Sequence, residues 1–157
     1  MAKNGKKQFI GTYFVKLLNG YRISLPTQFR RNISKEIIFT KGLDGALILV
    51  PTDRWEQLVK PLQTSNYFDA DTRTLLRYLV ASSYPASIDR QGRVVIPSTL
   101  RADLGALRPV ESTLVLVGML DFIELWSENT WKLHQEAISK QAHKIAQNFY
   151  DKKQNIA

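Results

Sequence analysis

A thirteen-residue stretch, Asp89-Arg90-Gln91-Gly92-Arg93-Val94-Val95-Ile96-Pro97-Ser98-Thr99-Leu100-Arg101, has a second copy in the same chain, and this duplication limits the possible folds more than any other feature. A shift of 71 residues lays Arg22-Ile23-Ser24-Leu25-Pro26-Thr27-Gln28-Phe29-Arg30 under Arg93 to Arg101. Arginine, the apolar positions on either side of one variable residue, proline, a further apolar residue and a second arginine all coincide. Beyond this core Gly42 and Gly118, Leu49 and Leu125, and Trp55 and Trp131 pair at a separation of 76. The second copy therefore carries five extra residues, placed around Gly105 to Val110, where a surface loop absorbs an insertion at small entropic cost.

Each copy reads as strand, basic turn, strand, short helix, strand, turn, strand. Phe9 to Leu17 is rich in aromatic and β-branched residues, with Tyr13, Val15 and Leu17 on one face and Lys16 on the other. Asn19-Gly20 predicts a tight hairpin turn in which both central residues take positive φ, and Arg22 to Leu25 returns as a strand. Pro26 suits the start of a short helix through Phe29 and Arg30 to about Asn32. Glu36 to Lys41 and Ala46 to Val50 flank the turn Gly42-Leu43-Asp44-Gly45. A helix opens after Pro51 with Thr52 or Asp53 as its cap, and Lys60-Pro61 is expected to end or kink it.

Gln63 to Thr72 is polar and reads as the linker, with Asp69 or Asp71 capping a helix through Leu75, Leu76, Leu79 and Val80. The second copy starts near Tyr84, with Tyr84, Ala86 and Ile88 on one strand face. Thr113 to Val117 and Asp121 to Trp126 are its last strands. From Ser127 a long helix carries Trp131, His134, Ile138, Ala142, Ile145 and Phe149 at spacings of three and four, a stripe that needs a partner surface.

One half has too little core to stand alone, so two halves interlocking into one compact barrel is the expected solution, with both basic turns on the same side. The fold class is α+β, mainly β. The expected organisation is a basic N-terminal lead over 1–8, a first half over 9–55, connecting helices and linker over 56–83, a second half over 84–127, and a C-terminal helix and tail over 128–157. Among 157 residues, 44% hydrophobic and 10% aromatic content is enough for a core. The absence of cysteine excludes a disulfide framework, thiolate catalysis and cysteine-based zinc sites, and fits a reducing cytosol. No apolar run is long enough for a signal peptide or a bilayer span, so a soluble protein is expected.

The formal net charge of +8 favours polyanionic partners, nucleic acid first and acidic membrane surface second. Lys3, Lys6 and Lys7 in the lead read either as a solvated tail or as non-specific phosphate contacts. Arg22 and Arg93 are the main candidates for DNA contact: the same exposed cation recurs after both turns, and a guanidinium can pair with phosphate or reach guanine O6 and N7. Arg90 and Lys16 read both as further contacts and as solvated surface charge. Arg30 and Arg101, in the short helices, read as structural, and Tyr21 as a cover for its hairpin or a platform for a sugar or base. His134 and His143 stand nine apart and share no metal-ligand face. No phosphate loop, nucleophile elbow, zinc-binding helix motif or dinucleotide fingerprint occurs, so neither an enzyme nor a cofactor is expected.

Asp89, Gly92, Arg93, Pro97 and Arg101 together fit the pattern D-x-x-G-R-x-x-x-P-x-x-x-R, and the chain closely resembles the MraZ family, whose two SpoVT-AbrB-type halves each carry it. Gly11 to Tyr13, the turn Thr40 to Gly45, the strand Val115 to Gly118, and Glu124-Leu125-Trp126 also look like that family, so the resemblance runs from Phe9 to Trp131. It implies a swapped-hairpin barrel assembled into homo-oligomeric rings. It also implies transcriptional regulation through short direct repeats in double-stranded DNA upstream of the division and cell-wall gene cluster, in the cytoplasm at the nucleoid. The first copy departs from the pattern: Leu18 replaces the aspartate and Tyr21 the glycine, while Asn19-Gly20 remains able to turn the hairpin. An AbrB-type DNA-tethering or assembly module, as in a toxin-antitoxin pair, is the alternative reading. It predicts one hairpin copy and a disordered tail in place of two copies and a helical end.

Overall fold

The first strand of each half finds its sheet partner in the other half. A computed structural model of the chain describes residues 8–156, and the basic lead with Lys3, Lys6 and Lys7 lies outside the described residues. The strands are β1 (Thr12–Lys16), β2 (Arg22–Ser24), β3 (Glu36–Lys41), β4 (Leu47–Pro51), β5 (Tyr84–Ser87), β6 (Arg93–Val95), β7 (Thr113–Gly118) and β8 (Ile123–Ser127). The helices are α1 (Thr27–Arg30), α2 (Thr52–Gln63), α3 (Ala70–Leu75) and α4 (Glu128–Gln154), with a π-helical turn at Leu76–Val80 and a 3-10 helix at Ser98–Leu104. Strand β1 pairs antiparallel with β7, and β5 with β3. The hairpins β3-β4 and β7-β8 join through β4 and β8, giving a six-stranded order β1-β7-β8-β4-β3-β5.

The expected barrel does not close. Strands β2 and β6 form a separate two-stranded ribbon, and β1 and β5 remain sheet edges. Each ribbon strand is three residues long and is soon followed by a proline, Pro26 or Pro97. A proline has no amide to extend a ladder and leads here into a short helix. Pairing also refines the repeat: Lys16 faces Thr113 while Ser87, its counterpart, faces Glu36, so β3 and β7 correspond at 77 rather than 76. One more residue thus sits in the loop before β7.

Alternation decides what is buried. Ile23 and Val94, the central residues of the ribbon, face the core with Leu25, Ile96, Leu100, Leu114, Leu116 and Leu125. Phe29 packs edge-to-face on Phe9 at 5.5 Å and on Tyr13 at 5.0 Å, ring geometries that add about 0.5–1.5 kcal/mol each beyond simple burial. A smaller cluster of Ala46, Val115, Val117, Trp126 and Trp131 holds the start of α4. Trp131 is buried, whereas Trp55, its repeat partner, is half-buried.

The connecting helices depart from expectation at α2. Neither Thr52 nor Asp53 caps it: Pro51 occupies the cap position, and the Thr52 hydroxyl donates instead to the Glu36 carbonyl at 3.0 Å. The helix also runs through Pro61 to Gln63, because a proline so near the end removes only one amide donor from the last turn. Asp69 caps α3, accepting from the Thr72 amide at 2.9 Å and its hydroxyl at 3.0 Å. The following π turn is tied to the sheet by the Thr40 hydroxyl, which donates to the Leu79 carbonyl at 2.5 Å, and by the Tyr78 hydroxyl, which donates to the Gly42 carbonyl. Ser127 caps α4, Trp131 buries, and His134 stacks on Trp126 at 4.8 Å. Past that point Ile138, Ile145 and Phe149 are 48%, 53% and 60% exposed, so within one chain the stripe meets no surface.

Gly118 marks the tightest crossing, where a Cβ would lie 2.5 Å from the Phe9 carbonyl carbon and the Ile10 nitrogen. Backbone cannot step aside as a side-chain tip can. Gly118→Ala is expected to destabilise the protein by about 1–3 kcal/mol, read by urea denaturation, with wild-type stability contradicting the close approach.

Candidate nucleic-acid interface

Two basic turns enter the ribbon from opposite strands. In the second, the Asp89 amide donates to the Arg93 carbonyl at 2.9 Å and the Gly92 amide to the Asp89 carbonyl at 3.0 Å. One Asp89 carboxylate oxygen accepts from the Gln91 and Arg93 amides, both at 2.9 Å, and the other from Arg93 Nε at 2.9 Å. The Arg93 amide chiefly, with its side chain and the Gln91 amide, holds the Asp89 carboxyl below the usual carboxylate range. Only Nε of Arg93 is committed in this pairing, so its terminal nitrogens have no partner among the described residues.

The first turn reaches a similar end by another route. The Leu18 amide donates to the Arg22 carbonyl at 2.8 Å, and Arg22 Nε donates to the Asn19 carbonyl at 3.1 Å. Positive φ falls on Gly20 (74°) and Tyr21 (56°), not on Asn19 and Gly20 as expected. The bridge between Leu18 and Arg22 makes a three-residue loop, which moves the left-handed conformation one residue along. Tyr21 thus occupies the place of Gly92, whose φ is 77°.

Each half's helix arginine lies on the other half's turn. The Arg101 guanidinium stacks 4.0 Å from the Tyr21 ring centroid and its Nε donates to the Ile96 carbonyl at 2.9 Å. Arg30 lies against Gly92 so closely that a Cβ there would be 2.1 Å from its Nε. Backbone bonds repeat the reciprocity, with the Leu25 amide donating to the Gly92 carbonyl and the Ile96 amide to the Tyr21 carbonyl, both at 2.9 Å. This exchange was not drawn from the sequence, although the 71-residue spacing that maps Tyr21 on Gly92 and Arg30 on Arg101 was its signal.

Arg22 and Arg93 share one face of the ribbon. Arg22 sits opposite Val95 and Arg93 opposite Ser24, and the residues between them, Ile23 and Val94, are buried. By alternation both arginines stand on the side away from the core. Arg90 is exposed at the second turn's tip, and exposed Lys16 donates to the Glu111 carbonyl at 3.4 Å. The structure therefore places Arg22 and Arg93 on one face of the ribbon, near its two ends, with Arg90 at the tip of the second turn. It holds Lys16 on the neighbouring sheet edge.

One family model, described as "MraZ protein, putative antitoxin-like", matches nearly the whole chain in two consecutive passes, residues 8–78 and 79–152. The chain belongs to this MraZ family. Among its relatives, the "Transcriptional regulator MraZ" of Syntrophomonas wolfei is 32% identical over 91% of this chain and 97% of its own length. The proteins of the same name from Thermomicrobium roseum and Clostridium beijerinckii are 30% and 33% identical, covering 88% and 82% of this chain and 95% and 88% of their own. The two matched MraZ repeats meet between residues 78 and 79, within the π turn Leu76–Val80 that leads from α3 into the second half.

Because folding depresses the Asp89 pKa, its ionised form supports the turn above the pKa of an unfolded aspartate, and that support is lost as pH falls through the depressed folded value. In a pH titration followed by NMR, the Arg93 amide and Nε–H resonances should stay fixed through the ordinary carboxylate range and move only below it. Movement centred on the ordinary aspartate value would show that the pair does not hold Arg93.

Proposed function

We propose that this chain is a sequence-specific DNA-binding transcriptional regulator, with Arg22 and Arg93 as its principal contacts and Arg90 and Lys16 as flanking ones. The observation that carries the reading is the placement of two constrained arginines on one solvent face, each with only Nε committed. A guanidinium fixed by Nε can still offer a fork of donors to guanine or phosphate. The net charge of +8 and the relatives' shared name as transcriptional regulators support it. The target follows from the family resemblance: short direct repeats upstream of the division and cell-wall gene cluster. The pairing of each half's first strand with the other half supports a swapped-hairpin arrangement of the AbrB type, with halves over 9–55 and 84–127, a connector over 56–83 and a C-terminal helix over 128–157. No helix among the described residues is long and apolar enough to cross a membrane. The proposed location is the cytoplasm, at the nucleoid.

Replacing Arg93 by Ala should leave folding intact and weaken binding to the native upstream DNA by about 1–3 kcal/mol per lost base contact. Arg22→Ala should act in the same direction and more weakly, since its turn is held by a backbone carbonyl rather than a carboxylate. Gel shifts on native and scrambled DNA, after circular dichroism, decide the matter. Wild-type affinity in both variants would end the assignment of these turns to DNA.

The stripe on α4 supports a homo-oligomer, for which a ring is the proposed form. Ile145 is 53% exposed in the single chain, and burying it against a neighbouring copy would remove apolar surface from water. Ile145→Glu should lower the oligomer mass measured by light scattering while each subunit stays folded. An unchanged mass would remove this face from the assembly.

A further inference from the structure

A cleft of about 860 Å³ opens beside the second turn, lined by Arg30, Arg31, Lys35 and Arg90 together with Glu36 and Asp89. Its charges are not equally free. Asp89 is engaged by Arg93, and Arg30 lies along Gly92. Arg31, Lys35 and Arg90 are exposed and make no ion pair among the described residues, leaving Glu36 as the one carboxylate not already engaged by a cation. Three free cations in a concave surface next to a DNA-facing turn create a local field that attracts anions.

The duplication supplies an internal comparison. At the 71-residue spacing Arg31 corresponds to Ala102 and Arg90 to Asn19. Lys35 accepts at its carbonyl from the Ile88 amide at 2.9 Å, and the matching bond runs from the Leu17 amide to the Ser112 carbonyl at 2.9 Å, so Ser112 takes the place of Lys35. All three cations are thus neutral residues in the other half. Of the bases near that side, Arg101 is stacked on Tyr21, and Lys16 and Arg108 are both drawn to Glu111, at its carbonyl (3.4 Å) and its carboxylate (3.7 Å). The positive cleft exists on one side of the near-symmetric pair only.

We propose that this cleft is a one-sided seat for the phosphate backbone of duplex DNA, with Arg31, Lys35 and Arg90 pairing with phosphodiester oxygens while the turns read the bases. The inference rests on the DNA-binding reading and adds to it a grip that sets which way round the chain lies on the duplex. Phosphate contacts position a protein and carry no sequence information themselves. Each one releases counterions, so each contributes about 0.9 to the slope of log affinity against log salt.

The test measures affinity of the full-length protein for its own upstream DNA and for a scrambled duplex across a salt series. Wild type is compared with Arg31→Ala, Lys35→Ala and the double variant, with thermal melts confirming folding, and with Arg93→Ala as a reference. Each single change should flatten the slope by about one unit and the double change by about two, with the preference for native over scrambled sequence kept. A double variant with the wild-type slope, alongside a weakened Arg93→Ala, would overturn the seat and leave the DNA-binding reading standing. Loss of sequence preference in the double variant would also overturn it, by making the cleft a reader of bases. Wild-type protein that binds neither duplex would overturn the functional reading and this inference together.

Discussion

Ile23 faces Val94 across a ribbon only three residues long on each strand, and both side chains are buried. The two halves meet around this pair. Because strand side chains alternate, burying Ile23 and Val94 turns Arg22, Ser24, Arg93 and Val95 to the other face. A slip of one residue would bury the arginines and expose the core pair, so the packing that stabilises the ribbon also fixes the direction of its charges. The reciprocal bonds from Leu25 to Gly92 and from Ile96 to Tyr21 lock that register from both ends.

The halves have diverged most at the turn itself. Gly92 takes its left-handed conformation without steric cost, and its bare backbone leaves space for Arg30. Tyr21 takes nearly the same conformation with a full side chain, at a cost of about 1–2 kcal/mol. Its ring recovers part of this under Arg101, where a cation-π contact contributes about 0.5–2 kcal/mol. One substitution thus exchanges a space for a platform while the backbone path is kept. The first turn has no aspartate to clamp its arginine, so Arg22 relies on the Asn19 carbonyl.

Much of this was legible in the sequence because the repeat and the two-residue period are local signals. Strands β3 and β4, the second hairpin's partners β7 and β8, the start of the long helix α4 at Ser127 and the basic turns all lay close to where alternation, helical spacing and turn chemistry put them. The misses have separate physical causes. Thr52 has the chemistry of a cap, yet the neighbouring β3 carbonyl of Glu36 took its hydroxyl. Asn19-Gly20 has the chemistry of a two-residue turn, yet the Leu18–Arg22 bridge imposed a three-residue loop. Closure of a barrel depends on how far β2 and β6 extend, and their prolines stop them at three residues. In the candidate site the arginines could be named from spacing, whereas the packing of Arg30 on Gly92 and Arg101 on Tyr21 required knowing that the halves exchange partners.

That exchange bears on how the chain is made. Thr12 pairs with Val117, so during synthesis β1 leaves the ribosome long before its partner exists, and at about 5–20 residues per second the delay is several seconds. Over that interval the finished first half must keep an unpaired strand edge and an exposed apolar face, Tyr13 and Val15 included, away from other nascent chains. The architecture that makes two small halves mutually dependent therefore places its greatest hazard before folding begins, and it leaves no half that a protease or a truncated message could release as a working unit.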